Sequence, residues 1–204
     1  ERLGRPCPNG DTQPIPPAEF ALYWRSRLWV ASGHYLTASE PFQYALCRLD
    51  ESTMTFSEEI TGLAVTGEAG AGIFIGQESK VYYARGDRPG ALALDEKYPA
   101  GMVAGTLTMV PGARLPLEAP PTEPVPMWLA TNGVVCAGLP DGTVLPLTET
   151  RFAADVGSTG AGMFMQKDGE SRFVATTAEP SENGFAVRDE AIFEVVRNGI
   201  PHVV

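Results

Sequence analysis

The chain has 204 residues, with 15 Lys+Arg against 25 Asp+Glu, a formal net charge of -10 and a hydrophobic fraction of 44%. That apolar fraction excludes a disordered chain, and the length suits one or two domains with a real core. Gly and Pro number 22 and 18, about a fifth of the chain, which leaves little room for long helices because both residues penalise helix interiors.

The acidic balance argues against a role in sequestering nucleic acid or binding an anionic membrane, since Lys and Arg would have to neutralise the phosphates. No run approaches the ~18 apolar residues of a membrane span, and no charged-then-apolar leader opens the chain. The first residue is Glu1, which leaves open a processed product or a fragment of something longer. Cys7, Cys47 and Cys136 are widely spaced and form no C-x-x-C pair. That excludes a zinc ribbon or a redox motif and predicts thiols packed as small hydrophobes.

Residues 1–18 hold five prolines and almost no apolar periodicity. They read as an extended arm, because each Pro fixes φ and cannot donate to a ladder. Residues 19–204 read as a β-rich domain. Its first strands are Ala21-Leu22-Tyr23-Trp24, Leu28 to Gly33 and Tyr35 to Ser39, short runs rich in β-branched and aromatic residues with turn residues between them. Residues 41–59 are irregular and read as a long connection carrying one short strand or helical turn. Strands return at Ile60–Val65, Ile73–Ile75 and Val81–Ala84, with Gly67 to Gly72 as a turn before the second of these.

Residues 111–126 are Pro-rich and read as an inserted loop. Beyond them, Met127–Ala130 and Val134–Gly138 are strands. Asp141-Gly142 is the strongest hairpin signal in the chain and leads into Thr143–Leu147. Gly162–Met165 and Arg172–Thr176 flank a turn at 166–169. The last block, 191–200, fits an Asn198-Gly199 hairpin slightly better than a helix ended by Gly199.

Gly70-Ala71-Gly72-Ile73-Phe74-Ile75 reappears 90 positions later as Gly160-Ala161-Gly162-Met163-Phe164-Met165, and Leu28-Trp29-Val30 lies 45 positions before Ile73. A unit of three apolar residues, a tight turn and a second strand, recurring near 45 residues, predicts an all-β, β-propeller-like array of short antiparallel blades. The alternative is a β-sandwich or barrel whose hairpins resemble one another by composition.

Motifs that carry chemistry are weak. Both glycine-rich stretches run into strands, so the helix N-terminus that a pyrophosphate needs is missing; close backbone approach explains them instead. Arg85-Gly86-Asp87 is a turn-embedded tripeptide found by chance in many chains. Leu139 to Val144 lacks the Ser and Trp of a sialidase Asp-box. The adjacent carboxylates Asp50-Glu51, Glu58-Glu59 and Asp189-Glu190 read as solvated loops, and a glycosidase pair must flank one cleft. His34 and His202 make neither a metal cluster nor a triad, and Val156 to Gly160 misses a nucleophile elbow. Trp24, Trp29 and Trp128 read as core. No catalytic, cofactor-binding or metal-binding residue is assigned, no cofactor is expected, and the chain reads as a non-enzyme.

Several stretches carry a resemblance. They are Leu28 to Gly33 with Tyr35 and Ser39-Glu40-Pro41, Gly72 to Gly76 with Val81 to Gly86, Val110 to Ala113, Val135 to Gly142, Leu147 to Phe152, and Val196 to Gly199. Together these resemble the blades of bacteriophage tail and neck structural proteins of the tail-nozzle or head-to-tail adaptor type. The resemblance implies a structural virion part located in the tail or neck. Such a part would be homo-oligomeric, as a sixfold ring around the channel through which DNA is ejected. Its partners would be other tail or adaptor proteins and passing DNA bound without sequence specificity, with no membrane. The Pro-rich segments could serve as ring arms, and an acidic lumen would let DNA slide. The competing reading is a glycan-binding or glycan-cleaving propeller that uses Trp/Tyr platforms and a carboxylate pair.

Overall fold

Strand alternation sets the architecture of the computed structural model, which describes residues 12–67, 72–86, 88–115, 117–150, 153, 156–167 and 170–178, and the backbone of 193–197 and 200–203. Strand accounts for 55% and helix for 6%, as the Gly and Pro content requires. In chain order the elements are β1 (Gln13–Pro14), β2 (Phe20–Trp24), β3 (Arg27–Ser32), β4 (Tyr35–Ala38), β5 (Leu46–Cys47), α1 (Leu49–Ser52) and β6 (Thr53–Thr55). Next come β7 (Ile60–Thr66), β8 (Gly72–Gln77), β9 (Val81–Arg85), β10 (Ala93–Tyr98), β11 (Thr108–Pro111), β12 (Pro124–Leu129), β13 (Val135–Gly138) and β14 (Val144–Pro146). The chain closes with β15 (Thr159–Lys167), β16 (Glu170–Ala178), β17 (Phe193–Arg197) and β18 (Ile200–Val203).

These strands form four four-stranded antiparallel sheets, ordered β2-β3-β4-β6, β7-β8-β9-β10, β11-β12-β13-β14 and β15-β16-β17-β18. Each sheet is therefore a meander built from one stretch of sequence, and none closes on itself. A separate pair, β1 with β5, ties the proline-rich arm to the first sheet's connection through Gln13 opposite Cys47. Strands β17 and β18 take the place of the helix that the 191–200 block could also have formed.

Three buried clusters lie between consecutive sheets, and the period of two in each strand decides which side chain joins which cluster. Between the first and second sheets sit Trp24, Trp29, Leu36, Ile73 and Ile75. Between the second and third sit Phe74, Tyr83, Met102, Trp128 and Cys136. Between the third and fourth sit Val125, Met127, Val135, Ala137 and Phe173. Ile73 and Ile75 thus face backward along the chain while Phe74 between them faces forward. Val135 and Ala137 likewise face away from Cys136.

The sheets also meet along their strands. Strand β2 runs beside β7, β7 beside β12, and β11 beside β15. A parallel bridge joins Ala104 to Thr159. There Gly160 N–H donates to Ala104 O at 2.8 Å and Gly162 N–H to Gly105 O at 3.1 Å. A Cβ at Gly162 would run into the Thr106 backbone, so the second glycine-rich stretch is where two backbones meet rather than a phosphate cradle.

The 45-residue spacing is structural for one step. Leu28–Val30 and Ile73–Ile75 lie in β3 and β8, the second strands of their sheets. The step to Met163–Met165 needs correction, because those residues belong to β15, the first strand of the fourth sheet. The second-strand equivalent there is β16, which the apolar repeat skipped because Arg172-Phe173-Val174 opens on a charge. The longer interval to β12 comes from the β11–β12 connection, the Pro-rich loop read from the sequence, whose ends are Pro111 in β11 and Pro124 in β12.

Candidate functional site: the outer face of the first sheet

Among the described residues, the first sheet packs only one of its faces against another sheet. Trp29, Ala31, Leu36 and Ala38 point into the cluster shared with the second sheet. The pleat therefore turns Leu28, Val30, Tyr35, Thr37 and Thr53 to the opposite side, where the register aligns Val30 with Thr37 and Thr37 with Thr53; Val30 and Thr37 are buried there, while Tyr35 is exposed. None of these side chains is charged, in a chain with 15 cations and 25 anions. Thr37 and Thr53 satisfy each other, hydroxyl to hydroxyl at 3.1 Å.

The arm shapes this face. Ile15 N–H donates to Ala45 O at 2.9 Å and Glu19 N–H to Ala31 O at 3.0 Å, which lays Pro16, Pro17 and Ala18 along the sheet. The result is an apolar trough of about 400 Å³ whose walls include Pro17, Val30, Tyr35, Leu49 and Thr53. Tyr35 is 55% exposed at its rim.

An aromatic corner extends the same face at the β2–β3 turn. Tyr23, paired across the strands with Leu28, is 57% exposed, and Phe42 is 74% exposed. Tyr44 meets Tyr23 edge to face, with centroids 5.7 Å apart and planes at 84°, a favoured aromatic geometry. Hydrogen bonding with Tyr23 raises the Tyr44 hydroxyl above its ordinary value. Arg25 and Ser26 have φ of 48° and 62°, and Phe42 has 59°; these left-handed conformations cost non-glycine residues energy. Among the described residues, every left-handed non-glycine residue lies at this corner. The Ser26 carbonyl accepts from Phe42 N–H at 2.9 Å, and the Arg25 guanidinium lies 5.0 Å over the Trp24 ring while donating to Gly86 O at 2.6 Å.

A second depression, of about 510 Å³, is polar and is ringed by Arg27, Arg48 and Arg88 with Glu40, Asp50 and Glu51. Arg48 bridges Glu40 at 3.4 Å and Glu51 at 3.3 Å, and Arg27 donates to Ser39 O at 2.6 Å. Cations and anions balance there, so the cleft has no net pull on a charged ligand.

The remaining sequence candidates fall elsewhere. Glu58 accepts from Ser79 N–H at 2.9 Å and from Ser79 Oγ at 2.6 Å, contacts that lower its carboxyl and brace the β8–β9 turn. Arg85 pairs with Asp95 at 2.5 Å, and Asp87 lies outside the described residues, as does the Asp189-Glu190 pair. His34 Nδ1 lies 3.3 Å from Phe56 O, whereas the His202 side chain is outside the described residues. Asp141 accepts from Thr143 N–H and Oγ1, both at 2.9 Å, making an Asx turn. Gly142, at φ 89°, abuts the Tyr83 ring, so this hairpin serves packing. Trp24, Trp29 and Trp128 are all buried. Cys47 and Cys136 are free, buried thiols, while Cys7 is outside the described residues.

Sequence reasoning missed this face because no motif marks it. Its one available signal was the uncharged alternate set Leu28, Val30 and Ser32 opposite Trp29 and Ala31 in β3. Among the described residues no group of three or more His, Cys, Asp or Glu could hold a metal ion. No model of a known protein family matches this chain, and a search of curated proteins likewise finds no match.

Proposed function

We propose that the chain is a non-enzymatic structural part of a tailed-bacteriophage virion, contributing to the tail or neck channel through which DNA leaves. In this reading each four-stranded meander is a blade, and the protein acts as a homo-oligomer held by other tail or adaptor proteins. The observation that carries the reading is the charge-free outer face of the first sheet, with its trough and aromatic corner. Exposed apolar side chains gathered in one patch mark an interaction site, and here Tyr23, Tyr35 and Phe42 gather around the trough and corner of the first sheet. The net charge of -10 supports the channel role, since it disfavours gripping of phosphate. Antibody raised against the purified chain should decorate the tail or neck of virions of the phage whose genome encodes it. Labelled capsids with bare tails would overturn the assignment.

The aromatic corner favours a second reading, a glycan-binding protein, because Tyr23, Phe42 and Tyr44 offer exposed rings to a sugar face. A glycan array showing binding to one sugar class, abolished in Tyr44→Ala, would select it over the virion reading.

A further inference from the structure

We infer that Asn132 is a gated deamidation site, shut by the docking of the second sheet on the third and released when those sheets part. Asn occurs at positions 9, 132, 183 and 198, and Gly follows it each time. Of these, only Asn132-Gly133 lies among the described residues. Asn-Gly is the pairing in which the next backbone nitrogen most readily reaches the carboxamide, because Gly carries no Cβ to obstruct it.

The chemistry needs only water as co-reactant. Gly133 N gives up its proton and attacks Asn132 Cγ; the N–Cγ bond forms, the Cγ–Nδ2 bond breaks and ammonia leaves. Water then opens the resulting succinimide to aspartate or isoaspartate, with no oxidation or reduction. The Asn132 side chain is exposed, so exclusion of water does not protect it.

Geometry supplies the protection. The loop from Thr131 to Gly133 is closed where Ala130 N–H donates to Val134 O at 2.8 Å, and Gly133, at φ 78°, takes the left-handed position of a three-residue hairpin loop. The attacking nitrogen is occupied, since Gly133 N–H donates to Ala130 O at 2.8 Å. The carboxamide is held at both ends: Oδ1 accepts from Val134 N–H at 3.2 Å and Nδ2 donates to Tyr98 Oη at 3.1 Å.

Tyr98 closes β10 of the second sheet and is buried. The segment that follows it holds the same loop. Thr131 N–H donates to Gly101 O at 3.1 Å, Thr131 Oγ1 accepts from Gly101 N–H at 2.9 Å, and Met102 bridges Ala130. Bonds within the hairpin fray with the turn, whereas those from residues 98–102 fail when the second sheet leaves the third. Isoaspartate adds a methylene to the backbone, so the modified loop cannot restore its closure and the opening is recorded covalently.

The native and the urea-unfolded full chain are incubated in mildly alkaline buffer, and deamidation of the peptide containing Asn132 is followed by mass spectrometry. Asn132 should react at least about tenfold more slowly in the native chain, the opening equilibrium setting the ratio. Tyr98→Phe keeps the buried ring and should raise the native rate severalfold while leaving the rate in urea unchanged. Thr131→Val removes the hydroxyl that anchors Gly101 and should act likewise. Circular dichroism checks that each variant folds, and either one suffices for the test. Equal native and unfolded rates overturn the inference. So do folded variants that deamidate like wild type, which would confine the protection to the turn itself.

Discussion

Cys136 shows how position in the stack sets the chemistry of one atom. Its side chain is sealed between the second and third sheets, where its Sγ–H lies 3.8 Å from the Val134 carbonyl and its sulfur is also within reach of the Tyr98 hydroxyl. Burial pushes the thiol from 9.0 up to about 12, with Glu149 adding to the shift and Tyr98 opposing it. The thiolate is the reactive form, so Cys136 is inert to alkylation until the fold opens. Between these values the folded chain holds a proton that the unfolded chain has released, so stability falls as pH rises through that window. We expect the urea midpoint to drop from pH 9 upward, with a smaller slope in Cys136→Ala. An unchanged slope in that variant would mean other groups carry the loss.

At the scale of elements, the β2–β3 turn combines strain with exposure. Arg25 and Ser26 adopt the paired positive φ of a type I′ turn, the geometry that matches strand twist but favours Asn-Gly. Ser26→Gly removes the left-handed penalty while keeping the carbonyl that anchors Phe42. It should raise stability by about 0.5–1 kcal/mol in urea unfolding; a loss would show that the Ser26 side chain contributes there. Strands with alternating or continuous apolar residues, such as β3, β8 and β13, were legible in the sequence, and Asp141-Gly142 announced its hairpin. Strand β6, reading Thr-Met-Thr, is too short to show a period, and β10, reading Ala-Leu-Asp-Glu-Lys-Tyr, looks like surface because its strand neighbours only β9. The candidate face escaped notice because it is defined by the register of three strands and by an arm that returns to Cys47, a long-range pairing that local patterning does not encode.

At the scale of the whole molecule, acidity and modularity matter most. With 25 acidic against 15 basic residues, the chain should not retard duplex DNA in a gel even at low salt, where phosphate contacts are strongest. Tight, salt-sensitive retardation would contradict passive passage of DNA. The sheets follow one another without interleaving: β6 ends at Thr55 and β7 begins at Ile60. Each hydrogen-bonded ladder is therefore complete within its own stretch of sequence, but its buried face waits for the next stretch to arrive. During synthesis the first sheet can zip up while Trp24 and Trp29 are still bare, and they stay bare until residues through Ile75 have left the ribosome. The interval in which a newborn chain is sticky is thus set by translation speed across the second sheet, which makes codon choice over residues 56–75 a lever on yield.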